Sequence, residues 1–211
     1  MINFLILIFG LTMIYLALKN RYDSYIKAIA FQGVILFALV ILDEGEIDTF
    51  TTIFLAVEAL GFKAIVIPFM LLRIVRKNNL IQETDPHIPQ FSSVVIATVI
   101  MLLGFYMAFR VAGSGEDIKP LYFGISISNM VVSLFIIVTR KNIITHVMGF
   151  MLLENAIFLL SLSIAVEMPL IVNLGVLLDL FLVLFILGLF VGKIQSAFDN
   201  VRSDELTDLR D

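Results

Sequence analysis

Seven apolar runs, each close to the length that a bilayer crossing demands, dictate most of what this chain can become. They fall at roughly residues 2–18, 26–42, 50–73, 91–111, 120–139, 143–166 and 169–192, the second of them short. A hydrocarbon core about 30 Å thick takes about 20 residues of helix, fewer or more with local thinning or tilt. In lipid every backbone N–H and C=O needs a partner inside the protein, and for continuous apolar runs only helices supply one. The sequence therefore predicts an all-α polytopic membrane protein with seven transmembrane helices. Its 60% apolar and 15% charged composition agrees, since soluble domains carry about 25% charged residues. Mean hydropathy is +1.05. The first Lys is Lys19 and no small-residue cleavage site follows the first run, so it reads as a retained helix rather than a signal peptide.

Lys and Arg set the expected direction of insertion. Lys19, Arg21 and Lys27 follow or flank the first run, Arg73, Arg76 and Lys77 the third, and Arg140 and Lys141 the fifth. Lys193, Arg202 and Arg210 lie in the C-terminal tail. Of the 14 basic residues only Arg110 and Lys119 fall on the other side, and Lys63 lies inside a run. The positive-inside rule then places the N-terminus outside and the C-terminus in the cytoplasm, which an odd number of helices satisfies. Pro86 and Pro89 punctuate a polar cytoplasmic connection, and Gly113 to Asp117 makes an external turn. The expected localisation is the cell (inner or plasma) membrane, as a multi-pass protein.

Several chemistries are excluded. The chain has no Cys, so disulfides and thiolate-held zinc or iron–sulfur centres are absent. Its two His, His87 and His146, are far apart in sequence and make no metal-ligand spacing. No soluble catalytic domain remains once the apolar runs are removed, and a net charge of −4 leaves no basic stripe for nucleic acid. The expectation is a non-enzymatic chain with no cofactor.

The chain also matches itself at an interval of about 122 residues. Lys19-Asn20 falls on Lys141-Asn142 and Gln32 on Glu154; with a shift of one, the stretch around Glu58 falls on that around Asp179. The matching organisation is two parallel three-helix repeats, 1–80 and 120–195. A linker with helix four (81–119) joins them, and a polar cytoplasmic tail (196–211) follows. Such parallel repeats are a known way of building membrane transporters.

The candidate site residues are the polar groups inside the runs. An ionised carboxylate at bilayer depth costs at least about 3 kcal/mol and marks ion paths by default. Glu154 and Asp179 each stand near the middle of a run. At about 1.5 Å per residue, Glu154 lies about 21 Å from Arg140, Asp179 about 21 Å from Lys193, and Glu58 at nearly the same depth from Arg73. The functional reading is a layer of proton carriers; the structural one is a set of carboxyls held for packing, with Asn155 and Asn173 supplying hydrogen bonds. Glu58 and Lys63 are five residues apart, about 140° around a regular helix, so they do not share a face. Gly61 and Pro68, or a π-bulge, would change that phase and let them meet; otherwise Lys63 must reach an acid elsewhere. His146 stands one turn inside the cytoplasmic boundary and on nearly the face of Glu154. It is either a proton relay, since imidazole titrates near about pH 6.5, or an interfacial residue with no such role. Gly149, among other glycines, is expected to permit close helix approach.

Arg140-Lys141-Asn142-Ile143-Ile144, followed by Met148-Gly149 and Glu154-Asn155-Ala156, resembles the second helix of the 4L-type (K) subunit of respiratory complex I. It is equally similar to the counterparts in multisubunit cation/proton antiporters and energy-converting hydrogenases. The resemblance implies that Glu154 belongs to a proton path. Asp179 would correspond to the acid on the following helix, although Asp replaces the usual Glu and the intervening stretch is shorter. In length and topology the whole chain resembles the hydrogenase-4 component E family, membrane subunits of formate hydrogenlyase-type complexes. That implies antiporter-like subunits, a hydrogenase membrane anchor and a soluble hydrogenase module as partners, with no redox centre in this chain. A structural spacer in the membrane arm and a cation/proton antiporter component are the alternatives.

Overall fold

A computed structural model describes residues 1–42, 49–77, 88–113 and 119–164, together with Phe181 and Gly188. The chain divides into two compact units, Met1–Val176 and Leu177–Asp211. The second is described only at Phe181 and Gly188, both helical. The seventh run, with Asp179, therefore lies outside the described residues, as do His87, Asn173 and the C-terminal tail.

The described elements of the first unit are all helices. Its elements are α1 (Ile2–Ala17), α2 (Tyr22–Leu42), α3 (Thr49–Val57), a π-helical segment (Glu58–Val66), α4 (Ile67–Lys77), α5 (Gln90–Ala112), α6 (Pro120–Thr139) and α7 (Ile143–Ile164). Five stretches are long and apolar enough to cross a membrane: α2, the α3–π–α4 rod over Thr52–Arg76, α5, α6 and α7. The shorter α1 is equally apolar along its 16 residues. Each of these six lies where an apolar run places it.

The main boundary difference is at α2, which starts at Tyr22 instead of near residue 26. Asp23 in the first turn suits the positive end of the helix dipole, and Ser24 and Tyr25 donate their N–H groups to the Arg21 carbonyl. Tyr22 and Tyr25 are buried. The helix thus begins in polar residues that a hydropathy scan passes over. The rod likewise runs past the apolar residues to Lys77. Pro120 opens α6 at a position where its missing N–H costs nothing.

Packing follows an up-and-down path. One apolar cluster gathers Ile6 and Phe9 of α1, Leu39 of α2, Leu55 of α3, Ile125 of α6 and Leu162 of α7. The first halves of α1, the α3–π–α4 rod and α6 thus meet the second halves of α2 and α7, as sequential antiparallel helices require. α6 and α7 are clasped at both ends. The Lys119 N–H donates to the Ser163 carbonyl at 3.1 Å and the Ser163 hydroxyl to the Lys119 carbonyl at 3.1 Å. At the other end a ring nitrogen of His146 lies 2.7 Å from the Arg140 carbonyl. Between them Gly149 faces Ile137, whose Cγ1 would be only 2.6 Å from an added Cβ, so this glycine does permit close approach.

α5 is the helix least covered by the rest of the unit, with only 22% of its apolar window buried. Between the exposed polar residues at its ends, Gln90 and Arg110, its most exposed side chains, Phe91 and Phe109 among them, are apolar, as suits a lipid-facing surface.

Candidate functional site

The polar residues of the membrane interior converge where α2, the π segment and α7 meet. Lys63 projects from the π segment and is 1% exposed; Glu58 and Glu154 are 2% and 4% exposed. The Lys63 ammonium donates a hydrogen bond to Glu154 Oε1 on α7. The same Nζ lies 3.6 Å from Glu58 Oε1 and 4.4 Å from the centre of the Phe158 ring. One cation is therefore shared by two carboxylates, with an aromatic face as its third side.

Local geometry explains the convergence. Five residues on an α-helix leave Glu58 and Lys63 on different faces, whereas a π-helix hydrogen-bonds i to i+5 and returns the fifth residue to about the same side. The π segment spans Glu58–Val66, so it contains both residues and brings them together. Pro68 stands two residues beyond it and lacks the N–H that would extend a regular ladder back into the segment. Gly61 contributes no packing clearance, because a Cβ there would meet nothing within 4 Å. On α7, Glu154 and Phe158 are four residues apart and share one face, which is why carboxylate and ring bracket the same ammonium.

Glu58 is the weaker partner. Neither of its carboxylate oxygens has a hydrogen bond, though both are buried. An ion left without hydrogen bonds in a dry interior is expensive, so the site is asymmetric: Lys63 is bound to Glu154 and only near Glu58.

A second polar chain adjoins this cluster. The Thr12 hydroxyl of α1 donates to the Phe9 carbonyl at 2.6 Å. Gln32 of α2 donates from Nε2 to Thr12 Oγ1 at 2.7 Å and accepts at Oε1 from Asn155 Nδ2 at 3.2 Å. Asn155, expected to support the acids, therefore directs its amide N–H to Gln32. Gly33, the next residue of α2, lies against the π segment. A Cβ there would be 2.7 Å from Ala64 N and 2.8 Å from the Lys63 carbonyl carbon.

His146 does not join the cluster. It is half-buried at the start of α7, bonded to the Arg140 carbonyl, and about 12 Å of helix rise from Glu154. Around it the two loops at this end of the bundle are tied together. Arg140 Nη1 donates to Asn20 Oδ1 at 2.7 Å and Asn142 Nδ2 to the Tyr22 hydroxyl at 2.6 Å.

Sequence reasoning missed the roles of Thr12, Gly33 and Phe158, and saw Gln32 only as the counterpart of Glu154. A mid-run Gln followed by Gly was the available signal. It also missed Asn129 on α6, fully buried with neither amide atom hydrogen-bonded. Among the described residues no group of three or more His, Cys, Asp or Glu is placed to hold a metal ion.

No family model matches the chain, and no solved structure matches it. It is similar to "Uncharacterized protein Rv0085" of Mycobacterium tuberculosis (strain ATCC 25618 / H37Rv). The two are 26% identical over 189 residues, which covers 89% of this chain and 86% of the relative.

Proposed function

We propose that this chain is a non-catalytic membrane subunit of a complex I-like energy-converting hydrogenase of the formate hydrogenlyase type. Its buried carboxylates contribute to proton translocation while electrons pass through its partners. The observation that carries this reading is the buried Lys63 shared between Glu154 and Glu58. With all three groups ionised the cluster holds one net negative charge, and a single proton neutralises it. Such a site gains or loses a proton at the cost of only one unit of charge. Because the groups are in contact, each protonation changes the next group's affinity, and the cluster titrates as a unit. Ionisable residues at this depth mark ion pathways by default.

In this reading the chain crosses the cell membrane seven times, N-terminus outside and C-terminus in the cytoplasm, as two parallel three-helix repeats joined by a linker helix. The pairs Arg140–Asn20 and Asn142–Tyr22 at the loops, each 120 residues apart, and Asn155–Gln32 between α7 and α2, 123 apart, support the repeat, because these separations approximate its 122-residue interval. Asp179 is the next carrier along the line. His146, expected either as a relay to the cytoplasm or as an interfacial residue with no such role, is read here as the latter, a clasp bonded to the Arg140 carbonyl. Antiporter-like membrane subunits, a hydrogenase anchor and the soluble hydrogenase module are the partners. The motif around Glu154, similar to that of 4L-type subunits, supports this assignment.

Glu154→Gln tests the reading. The assembled complex should still transfer electrons but should lose proton pumping; normal pumping in an assembled variant overturns it. Complete burial of Lys63 against Phe158 also suits a structural spacer, which expects pumping to survive Glu154→Gln. A place in a cation/proton antiporter would show as ion exchange without electron transfer.

A further inference from the structure

Lys63 and Glu154 come from elements 91 residues apart, and neither element holds the other's charged group in place alone. Both are braced by adjacent residues of a third element. We propose that Gln32 and Gly33 of α2 are the positioning pair of the Lys63–Glu154 contact. Gly33 seats the backbone that carries Lys63, and Gln32 holds the helix that carries Glu154. This builds on the reading of Glu154 as a proton carrier and adds the residues that set its distance to the ammonium.

The Gly33 half rests on clearance. The atoms that an added Cβ would meet are Ala64 N at 2.7 Å, the Lys63 carbonyl carbon at 2.8 Å and Ala64 Cα at 3.0 Å. All are backbone atoms and cannot swing aside as a side chain would. Any residue but Gly forces α2 and the π segment apart at the peptide that bears Lys63. A π-helix is a less favourable backbone than an α-helix, so its position depends on what packs against it.

The Gln32 half rests on hydrogen-bond direction. Gln32 is fully buried and uses both ends of its amide, donating to Thr12 on α1 and accepting from Asn155 on α7. The Thr12 hydroxyl in turn donates its hydrogen bond to the Phe9 carbonyl. The order Asn155 to Gln32 to Thr12 to Phe9 therefore runs one way and fixes which end of the Gln32 amide faces α7. Asn155 immediately follows Glu154, so the rotation of α7 that presents Glu154 to Lys63 is held by this bond. The side chain of Gln32 and the backbone of Gly33 brace the two partners from consecutive positions of one helix.

The test is infrared titration of the full chain in lipid nanodiscs. The Glu154 carboxyl band is identified by its loss in Glu154→Gln, and Lys63→Met gives the displacement that follows loss of the ammonium. Gly33→Ala should move the pH midpoint of that band in the same direction as Lys63→Met, by about one pH unit, a tenfold change in proton affinity. Gln32→Leu and Asn155→Leu should each move it in that direction by less. Gln32→Asn, which keeps an amide donor and acceptor and adds no titratable carboxyl, should move it least. Folded Gln32→Leu and Asn155→Leu chains with the wild-type midpoint overturn the proposal, whether or not Gly33→Ala folds. Because the band reports protonation without transport, failure of the pumping test leaves this result standing, and an unchanged midpoint leaves the pumping test standing.

Discussion

Two close helix approaches in this bundle use the same device for different ends. Where α5 crosses α6, Gly104 and Gly124 face each other so tightly that a Cβ on either would run into the other's carbonyl oxygen. The polar group there, the Ser128 hydroxyl, is satisfied locally by the Gly124 carbonyl at 2.8 Å. Where α2 meets the π segment, Gly33 makes an equally close approach, and the neighbouring side chains are a Lys and two Glu. Missing Cβ atoms in a membrane let backbones touch and gain van der Waals contact. At α5–α6 that contact is the whole result. At α2–π it also places a cation whose hydrogen-bond acceptor comes from a distant helix, so the same packing move controls a charge.

The largest effect should come from removing that cation. Lys63→Met leaves two buried carboxylates without a counter-charge and should destabilise the chain by about 3–5 kcal/mol, read as a lowered thermal unfolding midpoint in detergent. Adding Glu154→Gln to it should recover part of the loss; no recovery would mean that Lys63 acts through packing alone. Next, Gly124→Val should overpack the α5–α6 crossing at a cost of about 1–3 kcal/mol. Proton transport per assembled complex should stay near wild type, and a transport defect there would erase the contrast between the two crossings.

Asn129→Leu should act in the opposite direction. It removes a buried amide whose two polar atoms lack hydrogen bonds, an arrangement that costs about 1–3 kcal/mol, so the unfolding midpoint should rise. A fall would show that the amide has a partner in the working protein. The smallest effect is expected for His146→Ala, which loses one bond to the Arg140 carbonyl, about 1 kcal/mol. Transport measured across the pH range should keep its profile, and a changed profile would promote His146 from clasp to relay.

Much of the fold was legible because each span is a length-and-hydropathy property of its own residues. α6 begins and ends where its apolar run does, and α5 differs by one residue at each end. The start of α2 was not legible, because Asp23 and Ser24 look like loop to hydropathy while backbone bonds from Ser24 and Tyr25 to the Arg21 carbonyl form the first turn. At the site, the need of Glu58 and Glu154 for a partner was readable from their place inside apolar runs, but the acceptor of Lys63 was not. Phase around the rod decides it, and the phase changes where the π segment begins. Asn155 shows the same limit: its amide sits beside Glu154 in sequence yet bonds across to Gln32, since adjacent residues on a helix point about 100° apart.

By itself, then, the sequence determined a helical membrane chain, the six described apolar helices and the residues costly enough in lipid to need a partner. Those follow from the free energy of moving each segment out of water, which depends on composition along the chain. Only the tertiary structure decided that Lys63 joins Glu154 to Glu58, that Phe158 closes the site and that Gln32 and Gly33 brace it. Pairing depends on helix phase and on backbone clearance between elements distant in the chain, and neither is a property of any one segment.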